Sequence, residues 1–384
     1  MNGQKNKVVI VQNTVRQYRA RFYVDLHRRL AQDGIDLRVV YSDPNPWEAA
    51  KRDCVDVNGN VGIKVRARWL VGDHLVYQQA WRHVQDARLV IVEHASRYLL
   101  THALLASRVM SSRKVAIFGH GIHNTGTRVG KFLRQRMLRL PDWWFAYTAR
   151  TMRFLLAQGV PADIVTDVQN AIDTDSLARA AGRIEAGEIT ALRGALGIAT
   201  DARVGLFCGS LYSHKHLPML IASAALIRAR LPEFHLVIVG DGPDRSLVEK
   251  AAASHSWIHY VGPRFNDARA PYFRLADLLL NPGLVGLGIL DAFAVGLPVI
   301  TADIPIHCPE IEYLEDGHNG IVTPDDPVLY AEAVVRTLGE RDLLGRLREG
   351  ASRSGRRYTL GNMVENFAGG VKACLEHKRS LTHA

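Results

Sequence analysis

Short, β-rich apolar runs, each followed by a turn and then by a stretch of helical spacing, recur along this chain and leave it few ways to fold. VVIVQNT precedes an arginine-rich helical stretch from Tyr18 to Gln32 and then DLRVVYS; ARLVIVEHAS, KVAIFGHGI and DWWFAYTARTMRFLLAQGV continue the pattern. After a polar helical segment, DSLARAAGRIEAGEITALRGALGIATD, the run ARVGLFCGS starts it afresh. Apolar runs without polar alternation read as strands covered on both faces, and strands alternating with helices pair in parallel through crossover connections. The expectation is an α/β chain with two doubly wound sheets, the first over residues 1–178 and the second over 179–355, followed by a helical tail, 356–384. At 384 residues there is chain enough for two domains of ordinary size, each with its own core. Ligands of open α/β sheets bind beyond the carboxyl ends of the strands, so a cleft between the two sheets is the expected active site.

One segment carries chemistry. Between Leu280 and Thr301 the chain reads LNPGLVGLGILDAFAVGLPVIT: a strand, a glycine-rich turn, a short helix bearing Asp291, and a second strand. Glycines at 283, 286 and 288 let backbone N–H groups approach an anion, and the positive end of the following helix faces the same place. The segment reads as a diphosphate cradle with a carboxylate for a sugar hydroxyl. Upstream, VGLFCGSLYSHKHLPMLIASAALI is a strand, a glycine turn, a lysine and a helix, and FHLVIVGDGPDRSLVEKAAA repeats that order; WIHYVGP and HCPEIEYLEDGHNGIVTPDD follow.

Over about residues 115 to 370 this order resembles the family-4 glycosyltransferases of the GT-B fold, whose activity retains the anomeric configuration. LDAFA resembles the family's "LEAMA" helix start, so Asp291 stands at the second of two cradle carboxylates eight positions apart, and Gly283 where the first belongs. Lys215 in SHKHL matches the lysine of the "GR…EKG" turn, with Ser210 in place of its arginine. QNAIDTDSL resembles the "NGVD" signature that ends the first domain. The resemblance implies that the tail crosses back to the first domain. It also implies a donor site of Gly209, Ser210, Lys215, Gly240, Pro263, Arg264, Gly283, Leu284, Val285, Gly286, Leu287, Gly288 and Asp291. Lys215 and the loop amides would meet the charge that develops on a departing diphosphate, and Asp291 would hold ribose hydroxyls or, as the plainer alternative, complement a helix dipole. His120, flanked by Gly119 and Gly121, resembles a histidine that approaches the donor sugar; it stands as the third catalytic candidate beside Lys215 and Asp291. His123 and Asn124 on the same loop are weaker candidates for the acceptor. Arg16 and Arg19, in the first strand-to-helix loop, read either as ligands for an acidic or phosphorylated acceptor or as a solvated basic face.

Other signals set bounds. Hydrophobic residues are 47% and mean hydropathy is −0.04, a globular balance. The apolar stretch after the first residues is too short for a signal peptide, and no run approaches the ~20 apolar residues of a spanning helix, so a cytoplasmic place is expected. Cys54, Cys208, Cys308 and Cys374 are far apart and suggest neither a disulfide framework nor a zinc site. Asp173-Thr174-Asp175 spells a metal-binding pattern of another glycosyltransferase fold, but here it falls in the domain-ending turn, and no cofactor or obligatory metal is expected. Asp241-Gly242-Pro243-Asp244 reads as a structural turn and Glu310 as a helix-opening carboxylate.

Charge is unevenly divided: residues 1–175 carry 26 Lys+Arg against 15 Asp+Glu, the rest 22 against 23. Much of the excess lies in TRVGKFLRQRMLRLPDWWF, where Arg128, Lys131, Arg134, Arg136 and Arg139 alternate with Phe132, Leu133, Met137 and Leu138. That stretch reads as a surface helix with its apolar stripe in the core, or as one lying on an anionic membrane, and the charge split favours the second. Nucleic acid is a poor partner despite a pI of about 9.5, since the basic residues are not interleaved with stacking aromatics. Transfer of a sugar from a nucleoside diphosphate to a glycan or lipid-linked acceptor is the function expected; a sugar-nucleotide-binding protein without transfer activity is the rival.

Overall fold

The computed structural model describes residues 6–45, 49, 53–57, 59–70, 75–108, 110–121 and 128–378. The chain divides into two units, residues 1–173 with 360–384, and residues 174–359.

The first unit is built on a seven-stranded parallel sheet. Its strands are β1 (Asn6–Val11), β2 (Ile35–Ser42), β3 (Gly62–Val65), β6 (Leu89–Glu93), β7 (Lys114–Gly119), β8 (Trp143–Ala146) and β9 (Val165–Asp167). The spatial order is β3-β2-β1-β6-β7-β8-β9, so the winding reverses between β1 and β6. Val8, Val9 and Ile10 of β1 are wholly buried, as a central strand covered on both faces requires. Two short strands, β4 (Ala67–Leu70) and β5 (Leu75–Gln78), pair antiparallel beside it. No strand is expected over 62–78, because four-residue segments such as GIKV and ARWL mix charge and apolar residues too closely for a period to emerge.

The second unit holds β10 (Val204–Cys208), β11 (His235–Val239), β12 (Ile258–Gly262), β13 (Leu278–Leu280), β14 (Val299–Ala302) and β15 (Gly320–Thr323), all parallel. Their order, β12-β11-β10-β13-β14-β15, reverses between β10 and β13. Its core joins Phe207, Leu236, Ile238 and Leu278 of the strands to Leu217, Leu220 and Tyr330 from the covering helices.

The unit boundaries fall a few residues away from 178 and 355. The helix Asp175–Arg183 packs on the helices Ala270–Leu275 and Gly288–Ala294 and so belongs to the second unit. The helix Arg341–Arg357 runs unbroken past 355 before the chain leaves at Tyr358 and Thr359. The last helix, Leu360–Glu376, then closes the first unit: Phe367 stacks on Phe145 at 4.2 Å and meets Phe22 and Phe118 edge-on at 5.3 and 5.2 Å. Gly370 allows that approach, since a methyl group there would lie 2.5 Å from Thr166 Oγ1.

Candidate functional site

In each unit the point where the winding reverses gathers the loops that follow two central strands, and both of these places hold residues singled out from the sequence. In the second unit they are the turn after β10 and the loop after β13.

The turn runs from Gly209 through a 3-10 turn, Ser213–Lys215, to His216, whose left-handed φ of +50° redirects the chain into the helix Leu217–Arg230. This brings Lys215 Nζ 2.5 Å from the carbonyl oxygen of Leu284, in the loop after β13. The ammonium is part-buried beside Cys208 and Cys308, and burial lowers its pKa to about 8. Burial acts oppositely on the two thiols, raising Cys208 to about 12 and Cys308 to about 11, so both stay protonated.

The loop itself is locked to that turn by backbone. Leu284 N–H donates to His214 O at 2.7 Å, Val285 N–H donates to His307 Nδ1 at 3.0 Å, and His307 Nε2 lies 2.8 Å from Ala302 O, which fixes the tautomer. Gly283 is glycine because the two backbones touch: a methyl group there would sit 2.2 Å from Lys215 C and 2.4 Å from His214 O. A carboxylate-bearing side chain at 283 has no room. Leu284 and Val285, expected to face a ligand, turn their amides inward instead, and the Val285 side chain is buried. Gly286, Leu287 and Gly288 form the head of the helix Gly288–Ala294.

Asp291 departs further from expectation. It is 5% exposed, and its two oxygens face Arg269: Nη1 donates to Oδ2 at 2.6 Å and Nη2 to Oδ1 at 3.4 Å. Burial raises the carboxyl's pKa while the guanidinium opposes that rise; for Arg269, burial works against the charge and Asp291 outweighs it. Arg269 also lies within electrostatic reach of Cys208 at the end of β10. Arg264, the arginine expected from this loop, is exposed and donates to the preceding Pro263 O at 2.9 Å. Nothing local separates the two arginines; the 3-10 turn Asn266–Arg269 decides which one reaches inward. Gly240 supports the rim: a methyl group there would meet Gly209 O at 1.9 Å. Ser210 is exposed.

In the first unit a pocket of about 270 Å³ opens at the carboxyl ends of β1, β6 and β7. His120 lies on its wall, its ring 6.1 Å from that of Tyr147. Gly119 lets β7 end close to His94, where a methyl group would be 3.2 Å from its Cβ. Glu93, His94, Arg97 and Tyr98 complete the wall, and Glu93 Oε1 accepts the Asn13 N–H at 3.2 Å. None of these is among the residues expected from the sequence, although ARLVIVEHAS places Glu93 and His94 at a strand's carboxyl end, which is the signal that finds them.

Arg16 and Arg19 both line the pocket, and neither is the solvated face that was one of their two readings. Arg16 Nη1 pairs with Asp53 at 2.5 Å. Arg19 is 6% exposed, bonds Asn170 Oδ1 and Met363 Sδ, and sits near the rings of Tyr18, Phe22, Phe118 and Tyr147. It ties the turn at 170 to the last helix. His123 and Asn124 lie outside the described residues. Glu310 is buried at the head of the 3-10 turn Pro309–Tyr313, and Asp241 Oδ1 accepts Gly242 N–H. Among the described residues no group of three or more His, Cys, Asp or Glu is gathered as a metal would need, and no helix is long and apolar enough to cross a membrane.

Residues 202–340, which hold the whole second switch point, match the family described as glycosyl transferases group 1. Among curated proteins, the chain is 26% identical over 177 residues to the alpha-monoglucosyldiacylglycerol synthase of Acholeplasma laidlawii, covering 44% of each. It is 28% identical over 183 residues to a D-inositol 3-phosphate glycosyltransferase of Jonesia denitrificans, covering 44% of this chain and 42% of that one. The chain thus spans less than half the length of the curated relatives it matches. Among solved structures, a glycosyltransferase from Rickettsia africae superposes with a TM-score of 0.70 at 13% identity, over 97% of this chain and 100% of that one. Anabaena HepE in complex with UDP gives 0.70 at 14% identity, over 95% and 99%. The fold is therefore that of GT-B glycosyltransferases, two Rossmann-like domains with parallel sheets.

Proposed function

We propose that the chain is a glycosyltransferase that moves a hexose or related sugar from a nucleoside diphosphate to a glycan or lipid-linked acceptor, with retention, in the synthesis of a cell-surface polysaccharide. The observation that carries this is the Lys215 ammonium, part-buried and set on the Leu284 carbonyl where the two loops of the second switch point meet. The names of the matched proteins support it, as does the UDP held by HepE.

As the bond between sugar and diphosphate breaks, charge grows on the leaving oxygen. Lys215 meets it from one side and the amides of Gly286, Leu287 and Gly288 from the other, fixed before the reaction begins. The leaving group is then stabilised by the chain's own cation and dipoles, and the reading includes no obligatory metal or cofactor. The pocket of the first unit takes the acceptor, with Glu93 and the histidines for hydroxyl groups and the rings of Tyr18 and Tyr147 for a sugar face. With retention, the acceptor attacks on the face from which the diphosphate leaves, and His120 positions groups without forming bonds.

The acceptor is collected at the cytoplasmic face of a membrane. On the helix Arg128–Met137 and just beyond it, Phe132, Leu133 and Leu140 are 60%, 38% and 42% exposed next to Arg136 and Arg139. Such a surface binds anionic lipid. Absence of co-sedimentation with anionic liposomes at low salt would remove this part.

A thermal-shift panel of UDP-, GDP-, ADP- and dTDP-sugars tests the whole, because a ligand bound to the folded state stabilises it by mass action. One donor should raise Tm in the wild type and fail to do so in Lys215→Ala, and transfer or slow hydrolysis of that donor excludes a binding protein without activity. No shift with any of the four overturns the proposal.

A further inference from the structure

We infer that Arg269, held in position by Asp291, is the second cation of the diphosphate site, so that the site is built from three loops rather than two. The inference rests on the donor reading above and assigns it a residue and a division of labour.

A nucleoside diphosphate carries at least two negative charges at neutral pH, and Lys215 brings a single positive one. Within the turn after β10, Ser210 brings only a hydroxyl. The structure supplies another cation from the loop after β12. Cys208, the last residue of β10, lies within electrostatic reach of both Arg269 and Lys215, and a methyl group at the next residue, Gly209, would be 3.9 Å from Lys215 Cε. The two cations therefore flank the same end of the same strand, where the winding of the sheet reverses.

Asp291 explains how an arginine can be kept there. Both of its oxygens are taken by the Nη1 and Nη2 edge of the guanidinium, and Nε points to Asn266 O at 3.4 Å. A carboxylate used in this way is a clamp: it fixes the planar fork, and a ribose hydroxyl would have to compete with a charged, two-point pairing to reach it. Each terminal nitrogen keeps a second N–H, and these are the donors a phosphate oxygen would take. Asp291 is then a positioning residue, and Arg269 the one that touches the donor.

The test measures what the diphosphate adds to binding. Affinities of each nucleoside and its diphosphate (uridine and UDP, guanosine and GDP, adenosine and ADP, thymidine and dTDP) are compared by calorimetry for the wild type, Arg269→Gln, Arg269→Lys and the double variant Arg269→Gln, Asp291→Asn. The double variant guards against misfolding, because it leaves no buried carboxylate without its partner. The preference for diphosphate over nucleoside should fall roughly 10-fold or more in the Gln variants, in line with the loss of a charge-assisted hydrogen bond. Nucleoside affinity should be unchanged, and Arg269→Lys should keep part of the preference. Equal losses for nucleoside and diphosphate would assign the pair to the ribose and overturn the inference, as would an unchanged preference. Lys215→Ala run alongside separates the two levels. If it loses the preference and the Arg269 variants do not, only this inference falls; if the wild type shows no preference at all, the donor reading falls with it.

Discussion

The two switch points share a topology and differ in what they are made of. Between β1 and β6 the loops leave a pocket of about 270 Å³ walled by side chains: a carboxylate, two histidines, arginines and aromatic rings. Between β10 and β13 the loops close on each other backbone to backbone, with glycine where any side chain would collide, and admit one ammonium and one buried ion pair. A side-chain wall suits a ligand recognised by the positions of its hydroxyls, whereas a backbone cradle suits an anion, which needs N–H dipoles and fixed charge more than shape. Parallel winding decides where a ligand can bind; the loop residues decide which ligand it is.

Removing the ammonium should break that division most strongly. Lys215→Ala is expected to lower transfer by about 100- to 1,000-fold, the usual effect of deleting one preorganised donor to a developing anion, while leaving the KM for the acceptor near its wild-type value. Steady-state kinetics with donor and acceptor varied separately would show it; a change confined to the acceptor KM would reverse the assignment of the two sites. Next comes Gly283→Ala. Its methyl group would meet Lys215 and His214 main chain, so the cradle must open, at a cost of about 1–3 kcal/mol. A lowered denaturation midpoint together with weaker nucleotide binding is the expected result, and a variant as stable as the wild type would show that the loops do not touch.

Acidity gives a smaller effect with a definite sign. Lys215 titrates near 8 because it is buried, well below its ordinary value. Under pH 8 the ammonium is present and a diphosphate keeps it charged, so donor affinity should decline as pH rises through about 8, by at most roughly tenfold per unit. The free protein should behave oppositely, since the unfolded chain still holds that proton between about pH 8 and the ordinary lysine value: its stability should rise with pH over that window. Calorimetric titration of the nucleotide at pH 7 and 9 and denaturation at the same two values would read both slopes. At the sidechain-walled end, His120→Ala should raise the acceptor KM about tenfold or less and leave nucleotide affinity as it is, the smallest change of the four if the ring only positions groups.

The central strands of both sheets, the glycine turn after β13 and the lysine after β10 are legible because each is a local pattern: an unbroken apolar run, a glycine spacing, a charge one turn before a helix. The failures share a cause. Arg269 and Asp291 are 22 residues apart in separate loops, and no periodicity links them. That the Leu284 and Val285 amides turn inward depends on His214, in the turn after β10, and His307, in the loop after β14. The solvated reading of Arg19 fails because the side chain is buried against Met363 of the last helix, 344 residues further on. Gly283 looked like a missing carboxylate; its reason is the main chain of residue 215, which only the folded loops bring near.

The sequence by itself determined the alternation of strands and helices, their parallel pairing into two sheets, and the presence of a glycine loop and a lysine suited to an anion, since these follow from period, propensity and backbone freedom within a few residues. The tertiary structure decided which loop amides are spent within the fold, which arginine meets Asp291, and that the last helix closes the first unit through Phe367. Those outcomes turn on close contacts between segments distant along the chain, where steric fit and the pairing of buried charge outweigh anything a local pattern encodes.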